Sequence, residues 1–256
     1  MHIVSITSDF GYHDYFVAEL KAQIHYNASN IKIIDVSHSL DPHDIVQAAY
    51  FVNNVFRSFP NGSIHLIAVY NHYDRDRRYI AVERQGHFFL APDNGVLSLL
   101  FNDLTAAEVR IIKSPEHEKT QTSICLAFGV KIISTNNSID NLGPVPANIS
   151  LKMGINPVVT NSYIRATIIH IDHYQNVVIN VKKKEFEKIR GNRSFELYYK
   201  QHDPITRISS GYGDAPIGDV IALFNPADYM EIAINMGKAS SILNLYKNET
   251  IQINFL

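Results

Sequence analysis

The segment HIVSITSDFGYHDYFVAELKAQIHYNASNIKIIDV, residues 2–36, predicts the fold of the first half of the chain. It opens with a short apolar run at residues 2–7, which is typical of a buried strand. Residues 14–26 then place apolar side chains at helical spacing, and residues 31–36 form a second apolar run rich in isoleucine. The order strand, helix, strand is typical of βαβ units and a mostly parallel sheet.

The same alternation continues to about residue 135. A second helix is predicted to begin at Asp41 and Pro42, an N-cap acid followed by proline at the first helical position. Further strands are expected at residues 64–69, 79–83 and 108–113. We therefore predict an α/β N-terminal domain with a mostly parallel sheet over residues 1–145.

The stretch 141–161 contains three prolines, two glycines and four asparagines, which is typical of an extended connection. We predict a linker at residues 146–162 and a C-terminal domain at residues 163–256. In that domain short strands recur with turns between them, so an all-β module is expected. The predicted strands are residues 163–171, 177–181, 195–199, 220–224, 230–234 and 250–255.

The composition excludes several classes of function. The chain has 256 residues, of which 46% are apolar and 19% charged, and its formal net charge is -2, so it carries no basic field for nucleic acid. The single cysteine, Cys125, excludes an internal disulfide framework and suits a reducing compartment. No secretory signal and no membrane-spanning apolar run is recognised, so we expect a cytoplasmic protein that binds neither nucleic acid nor a membrane.

Common catalytic motifs are absent from the sequence: there is no nucleophile elbow, no phosphate-binding loop, no H-E-x-x-H pair and no dinucleotide glycine fingerprint. What stands out is a pair of acids after the first predicted strand. Asp9 follows the strand directly, where open α/β sheets bind ligands, and its carboxylate suits the two hydroxyls of a ribose. A turn-stabilising role for Asp9 and an N-cap role for Asp14 are the structural alternatives.

Seven stretches, taken in order, resemble one known family. They are TSDFGYHDYFVAELKAQI, IDVSHSLDPHDIVQAAYFV, FPNGSIHLIAV, RRYIAVE, APDNG, IHIDHYQNVVIN and MEIAINMGKAS. The chain is similar in these stretches to the S-adenosylmethionine (SAM) hydroxide adenosyltransferases, whose relatives include fluorinating and chlorinating enzymes. The resemblance implies a homotrimer of chains with an N-terminal α/β domain and a C-terminal β-barrel. It also implies that SAM binds at the subunit interface, between the N-terminal domain of one subunit and the C-terminal domain of its neighbour.

The resemblance also implies roles for particular residues. Asp9 matches the ribose-binding acid, and Asp14 matches a nearby acid on the methionine side of the ligand. Asp172 and Asn176 match the D-x-x-x-N pair that holds the amino and carboxyl groups of methionine, although Asn176 alone also suits a hairpin turn. Two further ligand-binding positions match the family pattern: Asn225 and Glu231.

The catalytic segment departs from the family. Family hydrolases read V-D-P-G-V-G followed by two arginines, with the aspartate and first arginine catalytic, and have a third catalytic residue in F-H-G-R-D. Here Arg77 is retained, Tyr70 replaces the aspartate, and residues 120–128 contain no histidine. Tyrosine at this position resembles the halogenating relatives, in which Ser123 would fall near the halide site. His72, whose ordinary pKa suits a base at neutral pH, is the candidate replacement, or else a solvated loop histidine.

Four hypotheses of function follow. The first is cleavage of SAM to adenosine and methionine by water or hydroxide, with no cofactor besides SAM as substrate or ligand. The second is halogenase-like transfer of the adenosyl group to another small nucleophile, and the third is non-catalytic binding of SAM or adenosine. The fourth is a metal hydrolase, because imidazole and carboxylate side chains cluster in the sequence, but the resemblance implies no metal. The members of that cluster are His38, Asp41, His43, His72, Asp74 and Asp76.

Overall fold

Two compact units make up the chain. The computed structural model describes residues 1–69, 77–113, 121–199 and 204–256. The units are Met1–Gly154 and Ile155–Leu256, and the boundary falls inside the predicted linker segment 146–162. Each unit buries an apolar core of its own, as expected for domains of this size.

The first unit is built on one six-stranded sheet. Its strands are β1 (His2–Ser8), β2 (Ile31–Ser37), β3 (Ile64–Ala68), β4 (Tyr79–Arg84), β5 (His87–Pro92) and β6 (Val109–Ile111). They lie in the order β2-β1-β3-β5-β4-β6. The pairs β1–β2, β1–β3 and β3–β5 are parallel, whereas β4 runs antiparallel to both β5 and β6. The unit is therefore an α/β domain with a partly parallel sheet.

Helices cover both faces of this sheet. They are α1 (Phe16–Asn27), α2 (Ile45–Val55), α3 (Val96–Leu100) and α4 (Thr122–Asn136). Successive side chains of a strand point to opposite faces, so Tyr79 and Ala81 join the cluster under α1 and α4, while Ile80 and Val82 join the cluster under α2 and α3. Within the described parts of the chain, no helix has both the length and the apolar character needed to cross a membrane.

The predicted start of the second helix at Asp41 and Pro42 is wrong. Helix α2 begins at Ile45, and its N-cap is Asp44, whose carboxylate accepts the backbone N–H of Gln47 at 2.8 Å. His43 has a φ of 67°, which lies in the left-handed region and is incompatible with a helix passing through it. The Gln47 side chain in turn accepts the backbone N–H of Asp41 at 2.7 Å, so residues 41–44 form a turn ahead of the helix.

The second unit is a mostly antiparallel sheet with two short helices. Its strands are β7 (Val158–Val159), β8 (Tyr163–Ile171), β9 (Val177–Lys182), β10 (Phe195–Tyr198), β11 (Ile208–Ser209), β12 (Val220–Phe224), β13 (Tyr229–Ile234) and β14 (Thr250–Phe255). They follow the order β10-β14-β8-β9-β13-β12-β11, with β7 beside β8. The sheet curls as a half-barrel around a large apolar cluster, to which α5 (Lys183–Arg190) and α6 (Ala239–Leu243) contribute. All six strands predicted in this half of the sequence are present.

Candidate functional site

The carboxyl edge of the first sheet brings several predicted residues close together. Strands β1 and β3 are paired with Ser8 opposite Ala68, so the chain leaves the sheet side by side at Asp9 and Val69. Strand β4 begins at the same edge, because Tyr79 lies opposite the last residue of β5. Open α/β sheets bind ligands at this edge, at the point where the strand order reverses, which here lies between β1 and β3.

Asp9 lies in a tightly held loop between β1 and α1. Its side chain is 9% exposed, and its Oδ2 atom accepts the backbone N–H of His43 at 2.8 Å. The backbone N–H of Gly11, which has a φ of 68°, donates to the His38 carbonyl at 2.7 Å. The loop after β1 is thus tied to the loop after β2, and the Asp9 carboxylate is held at the sheet edge.

A chain of polar side chains runs from the buried residues behind this loop to the surface. The Oγ atom of Ser8 lies 2.6 Å from Nδ1 of His38, and both residues are almost fully buried. The Nε2 atom of His38 lies 3.2 Å from Oδ1 of Asp35, outside good hydrogen-bond geometry. Burial tends to raise the pKa of Asp35, but the stronger combined effect of Lys21, at 2.6 Å, and His38 holds that pKa below its usual value.

Asp14 is placed differently from Asp9. It is exposed and precedes α1, whose N-cap is Tyr15 without a side-chain capping bond, so the N-cap alternative for Asp14 is wrong. Its predicted contact with the methionine side of a ligand stays a prediction.

A cavity of about 310 Å³ opens beside the Asp9 loop and brings Arg77 and Ser123 together. It is lined by Phe10, Tyr15, Phe16, Glu19, Arg77, Gln121, Thr122 and Ser123. Its walls therefore combine three aromatic rings, one cation, one carboxylate and the polar first residues of α4. Apart from Arg77 and Ser123, the sequence analysis identified none of these residues, because the side chains of α1 and α4 approach each other only in the folded unit.

Arg77 lies beside the Tyr79 ring in the lining of this cavity. Its Cζ atom lies 5.7 Å from the centre of the Tyr79 ring, and the Tyr79 hydroxyl is 2.6 Å from Oγ1 of Thr122. Burial raises the pKa of Tyr79 despite the opposing effects of Thr122 and Arg77, so this phenol is a neutral hydrogen-bonding group at pH 7. The other two predicted catalytic residues, Tyr70 and His72, lie outside the described residues.

In the second unit, Asp172 and Asn176 form a closed pair in the loop between β8 and β9. Asn176 donates its backbone N–H to Asp172 Oδ1 at 2.7 Å and its side-chain amide to Asp172 Oδ2 at 3.0 Å. The backbone N–H of Asp172 donates to the Asn176 carbonyl at 3.0 Å. These hydrogen bonds close the loop between the two strands and fix the Asp172 carboxylate beside the Asn176 amide.

Glu231 and Asn225 belong to the same polar group as Asp172. Glu231 is 3% exposed, and its Oε1 atom accepts the Tyr212 hydroxyl at 2.7 Å. Burial raises the pKa of Glu231; hydrogen bonds from Tyr212 and Asn225 lower it, and the charge of Asp172 adds to the rise. Asn225 also accepts the backbone N–H groups of Ala227 and Tyr229, at 3.0 and 3.1 Å.

The sequence analysis missed Tyr212. This residue is separated from Glu231 by 19 positions and stands in a glycine-rich turn, where a tyrosine carries no recognisable signal. Burial is the largest cause that raises the pKa of Tyr212 above its usual value, and the neighbouring acids Glu231 and Asp172 raise it further. Tyr212 is therefore a hydrogen-bond donor at neutral pH. The four predicted ligand residues of the second unit, together with Tyr212, form one cluster of two acids, two amides and a phenol.

The described residues give the metal hypothesis little support. Within residues 1–69, 77–113, 121–199 and 204–256, no three histidine, cysteine, aspartate or glutamate side chains are placed to hold an ion. His38 is engaged by Ser8, and Asp41 belongs to the turn before α2. The remaining members of the proposed cluster, His72, Asp74 and Asp76, lie outside the described residues.

Comparisons with known proteins match both halves of the chain to the same family. Residues 4–133 match the family model described as SAM hydroxide adenosyltransferase N-terminal domain, and residues 166–252 match that of the C-terminal domain. An (R)-S-adenosyl-L-methionine hydrolase of Methanocaldococcus jannaschii is 27% identical over 99% of this chain and 96% of its own length. The protein of the same name from Thermus thermophilus is 23% identical over 99% of this chain and its whole length. A fluorinase of an Actinoplanes species is 21% identical over 98% of this chain and 97% of its own length.

Two crystal structures share the fold. A conserved protein of uncharacterised function from Thermotoga maritima superposes with a TM-score of 0.82, at 20% identity, over 98% of this chain and 99% of that one. A conserved hypothetical protein from Thermus thermophilus gives a TM-score of 0.75 at 22% identity, over the full length of both chains.

Proposed function

Because this chain belongs to the SAM hydroxide adenosyltransferase family, we propose that it binds S-adenosylmethionine and cleaves it to adenosine and methionine. The observation that carries the proposal is the match of both halves, residues 4–133 and 166–252, to the two domains of that family. The similarity to proteins named (R)-S-adenosyl-L-methionine hydrolase, over almost their whole length, supports the same reaction.

In this reaction, water or hydroxide attacks the C5′ carbon of the ribose. A new C–O bond forms as the C5′–S bond breaks, the electron pair stays on sulfur, and methionine leaves as a neutral thioether. When water is the nucleophile, its proton passes to an acceptor group. Since the sulfonium is already a good leaving group, the protein mainly aligns the attack, excludes bulk water and accepts the proton. Help from a general base contributes about 10²- to 10⁴-fold.

In the first unit, Asp9 binds the two ribose hydroxyls. A carboxylate offers about four acceptor positions, so it can bind two hydroxyls while it also accepts the backbone N–H of His43. Asp14 faces the methionine side of the ligand. Arg77 and Ser123 contact the reacting region, a role supported by their common position in the cavity beside the Asp9 loop. The proton acceptor is His72 or Tyr70, as the altered catalytic segment suggests.

In the second unit, Asp172 and Asn176 hold the amino and carboxyl groups of methionine, assisted by Asn225 and Glu231. An acid beside an amide suits a zwitterion, and the hydrogen bonds between Asp172 and Asn176 support this role. The pairing of Tyr212 with Glu231 adds a phenol to the group.

The active assembly is a homotrimer in which the first unit of one subunit and the second unit of its neighbour share a ligand. The separation of the two sets of polar residues on different units supports this arrangement. The sheet of the second unit belongs to a β-barrel, and the curl of this sheet around its apolar core supports that assignment. The lone, buried Cys125 suits the reducing cytoplasm.

The test is release of methionine at saturating SAM by the wild type, Arg77→Ala and His72→Ala, with Arg84→Ala as a matched control. Arg84 lies on the same β-strand as Tyr79 and pairs with Glu108 away from the cavity. We expect turnover by the wild type and the control, loss of turnover in Arg77→Ala, and a slower rate in His72→Ala. If His72→Ala equals the wild type while Arg77→Ala is inactive, the acceptor is Tyr70 or water itself.

Two other outcomes would replace the proposal. A wild type that binds SAM but releases no methionine above the uncatalysed rate is a SAM or adenosine binder. Production of a 5′-halogenated adenosine in the presence of fluoride or chloride would make the protein a halogenase-like enzyme. Chromatography of the nucleoside product separates these cases from hydrolysis.

A further inference from the structure

The turn between β5 and α3 holds the chain at two places that flank the catalytic segment. The side-chain amide of Asn94 donates to the carbonyl of Val69 at 3.0 Å, just after β3. The backbone N–H of Asp93 donates to the carbonyl of Arg78 at 3.0 Å, just before β4. Two adjacent residues of one turn, Asn94 and Asp93, therefore hold the end of β3 and the start of β4. Arg77 directly precedes Arg78 in the segment that joins these two strands.

The contact with Arg78 is charged, and its carboxylate partner is buried. Oδ2 of Asp93 accepts Nε of Arg78 at 2.6 Å and lies 2.5 Å from its Nη2, and the Asp93 side chain is 3% exposed. Such charge-assisted hydrogen bonds are about twice as strong as neutral ones and fix geometry as well as distance. Since Arg78 is the immediate neighbour of Arg77, holding one backbone position restricts the other.

The turn itself is rigidly built. Oδ1 of Asp93 accepts the backbone N–H of Ser150 at 2.8 Å, and Oδ1 of Asn94 accepts the backbone N–H of Val96 at 3.1 Å. Gly95 has a φ of 96°, and a Cβ atom there would collide with the side chain of Lys152. The Asn94 side chain thus bonds both within the turn and to the end of β3, and the Asp93 carboxylate joins Ser150 to Arg78 at the start of β4.

We propose that Asp93 and Asn94 are positioning residues for catalysis, which act by fixing Val69 and Arg78 so that the Arg77 guanidinium is aligned in the cavity. This inference rests on the proposed SAM cleavage. Misplacement of a catalytic group by about 1 Å is enough to lower a rate by about 10²-fold. A turn that only stabilised the fold would affect melting without selectively lowering kcat.

Two variants and one control test the proposal. Asn94→Ala removes the bond to Val69. Asp93→Asn keeps an acceptor for Ser150 but places an uncharged amide beside Arg78. Glu108→Gln is the control, because it weakens an ion pair with Arg84, at 2.8 Å, on the same sheet and away from the cavity. Each protein is examined by hydrogen exchange of the backbone amides at residues 66–69 and 77–80, and by kcat and KM for methionine release.

We expect both variants to show at least threefold faster exchange at these amides and at least a tenfold lower kcat, with KM for SAM changed less than threefold. The control should match the wild type in every measurement. Unchanged exchange in both variants, or a higher KM with an unchanged kcat, would overturn the proposal. If the wild type releases no methionine, the proposed function fails, but the exchange measurement still decides whether the turn restrains Val69 and Arg78. If Asp93→Asn proves unfolded by circular dichroism, Asn94→Ala decides.

Discussion

The hydroxyl of Tyr212 donates a 2.7 Å hydrogen bond to Oε1 of Glu231, an acid that is only 3% exposed. Burial raises the pKa of this carboxyl, and the charge of Asp172 adds to the rise, so the pair is held where a negative charge is unfavourable. Groups with such perturbed pKa values cluster at ligand and catalytic sites. The second unit therefore carries an acid with a raised pKa, Glu231, among the residues that the family resemblance assigns to the methionine end of the ligand.

The first prediction concerns the stability of this group. Because the folded-state pKa of Glu231 is raised, protonation stabilises the fold at low pH, and this stabilisation is lost as pH rises through that pKa. Glu231→Gln keeps the shape and removes the charge, so we expect it to raise the Tm of the second unit by roughly 4 °C at pH 8 and by less at pH 4.5. Calorimetry at both pH values measures this difference. An equal shift at the two pH values would contradict the assignment.

The second prediction tests whether Tyr212 adjusts the pKa of Glu231 for ligand binding or only stabilises the fold. Its hydrogen bond lowers the pKa of Glu231, so Tyr212→Phe should raise that pKa further. If the charged form of Glu231 receives the ligand's ammonium group, the rise of SAM affinity with pH should move to higher pH in the variant. Titration calorimetry between pH 5 and pH 8 checks this shift. Tyr246→Phe, which alters a 57% exposed tyrosine of the same unit, is the control and should leave the profile in place.

The third prediction tests the ribose acid. Asp9→Ala removes an acceptor for two hydroxyls, and one hydrogen bond to a charged group contributes about 1.5 to 3 kcal/mol. We expect the affinity for SAM or adenosine to fall at least tenfold, with a smaller loss in Asp9→Asn. Asp103→Ala, at a side chain that is 78% exposed, should bind like the wild type. Equal affinity of Asp9→Ala and the wild type in calorimetry would remove Asp9 from the site.

The fourth prediction concerns acid stability of the first unit. His65 is buried and has a partner at each ring nitrogen. Its Nδ1 atom lies 2.6 Å from Oγ of Ser5, and its Nε2 atom lies 3.2 Å from Nδ1 of His87. Burial, followed by the charge of His87, lowers the pKa of His65 from 6.5 to about 3. The unfolded chain therefore binds this proton first, and stability is lost as pH falls below the unfolded-state value.

Between pH 6.5 and pH 5.0, the loss from His65 should be about 1.5 kcal/mol in the free energy of unfolding. His65→Gln should lack this part of the pH dependence, even if it is less stable at every pH. The exposed His25→Gln is the control and should keep the wild-type slope. Urea unfolding at the two pH values gives the comparison, and identical slopes for His65→Gln and the wild type would show that His65 does not cause the acid sensitivity.

The fifth prediction is the oligomeric state. The proposed assembly is a homotrimer whose subunits share each site, so light scattering at micromolar concentration should give three times the 29.0 kDa chain mass. A mass near 29.0 kDa would leave the residues of the two units in separate half-sites and would contradict the proposed assembly.

Most strands of this protein were accessible from its sequence. The strands at Tyr163–Ile171, Val220–Phe224 and Thr250–Phe255 have the predicted bounds, because runs of apolar residues report directly on a buried strand. Helix α4 was not predicted. Its buried residues, which include Cys125 and Gly129, spread over a broad surface rather than one narrow stripe, and the periodicity is correspondingly weak.

The family and the acids after the first strand were determined by the sequence alone, since each depends on short stretches of consecutive residues. Only the tertiary structure decided that Tyr212 meets Glu231, that Asn94 reaches Val69, and that the cavity joins the starts of α1 and α4 to Arg77. Those contacts join residues far apart along the chain. They form only when the sheets assemble, and burial then sets the strength of each charge and hydrogen bond, which no local pattern of residues encodes.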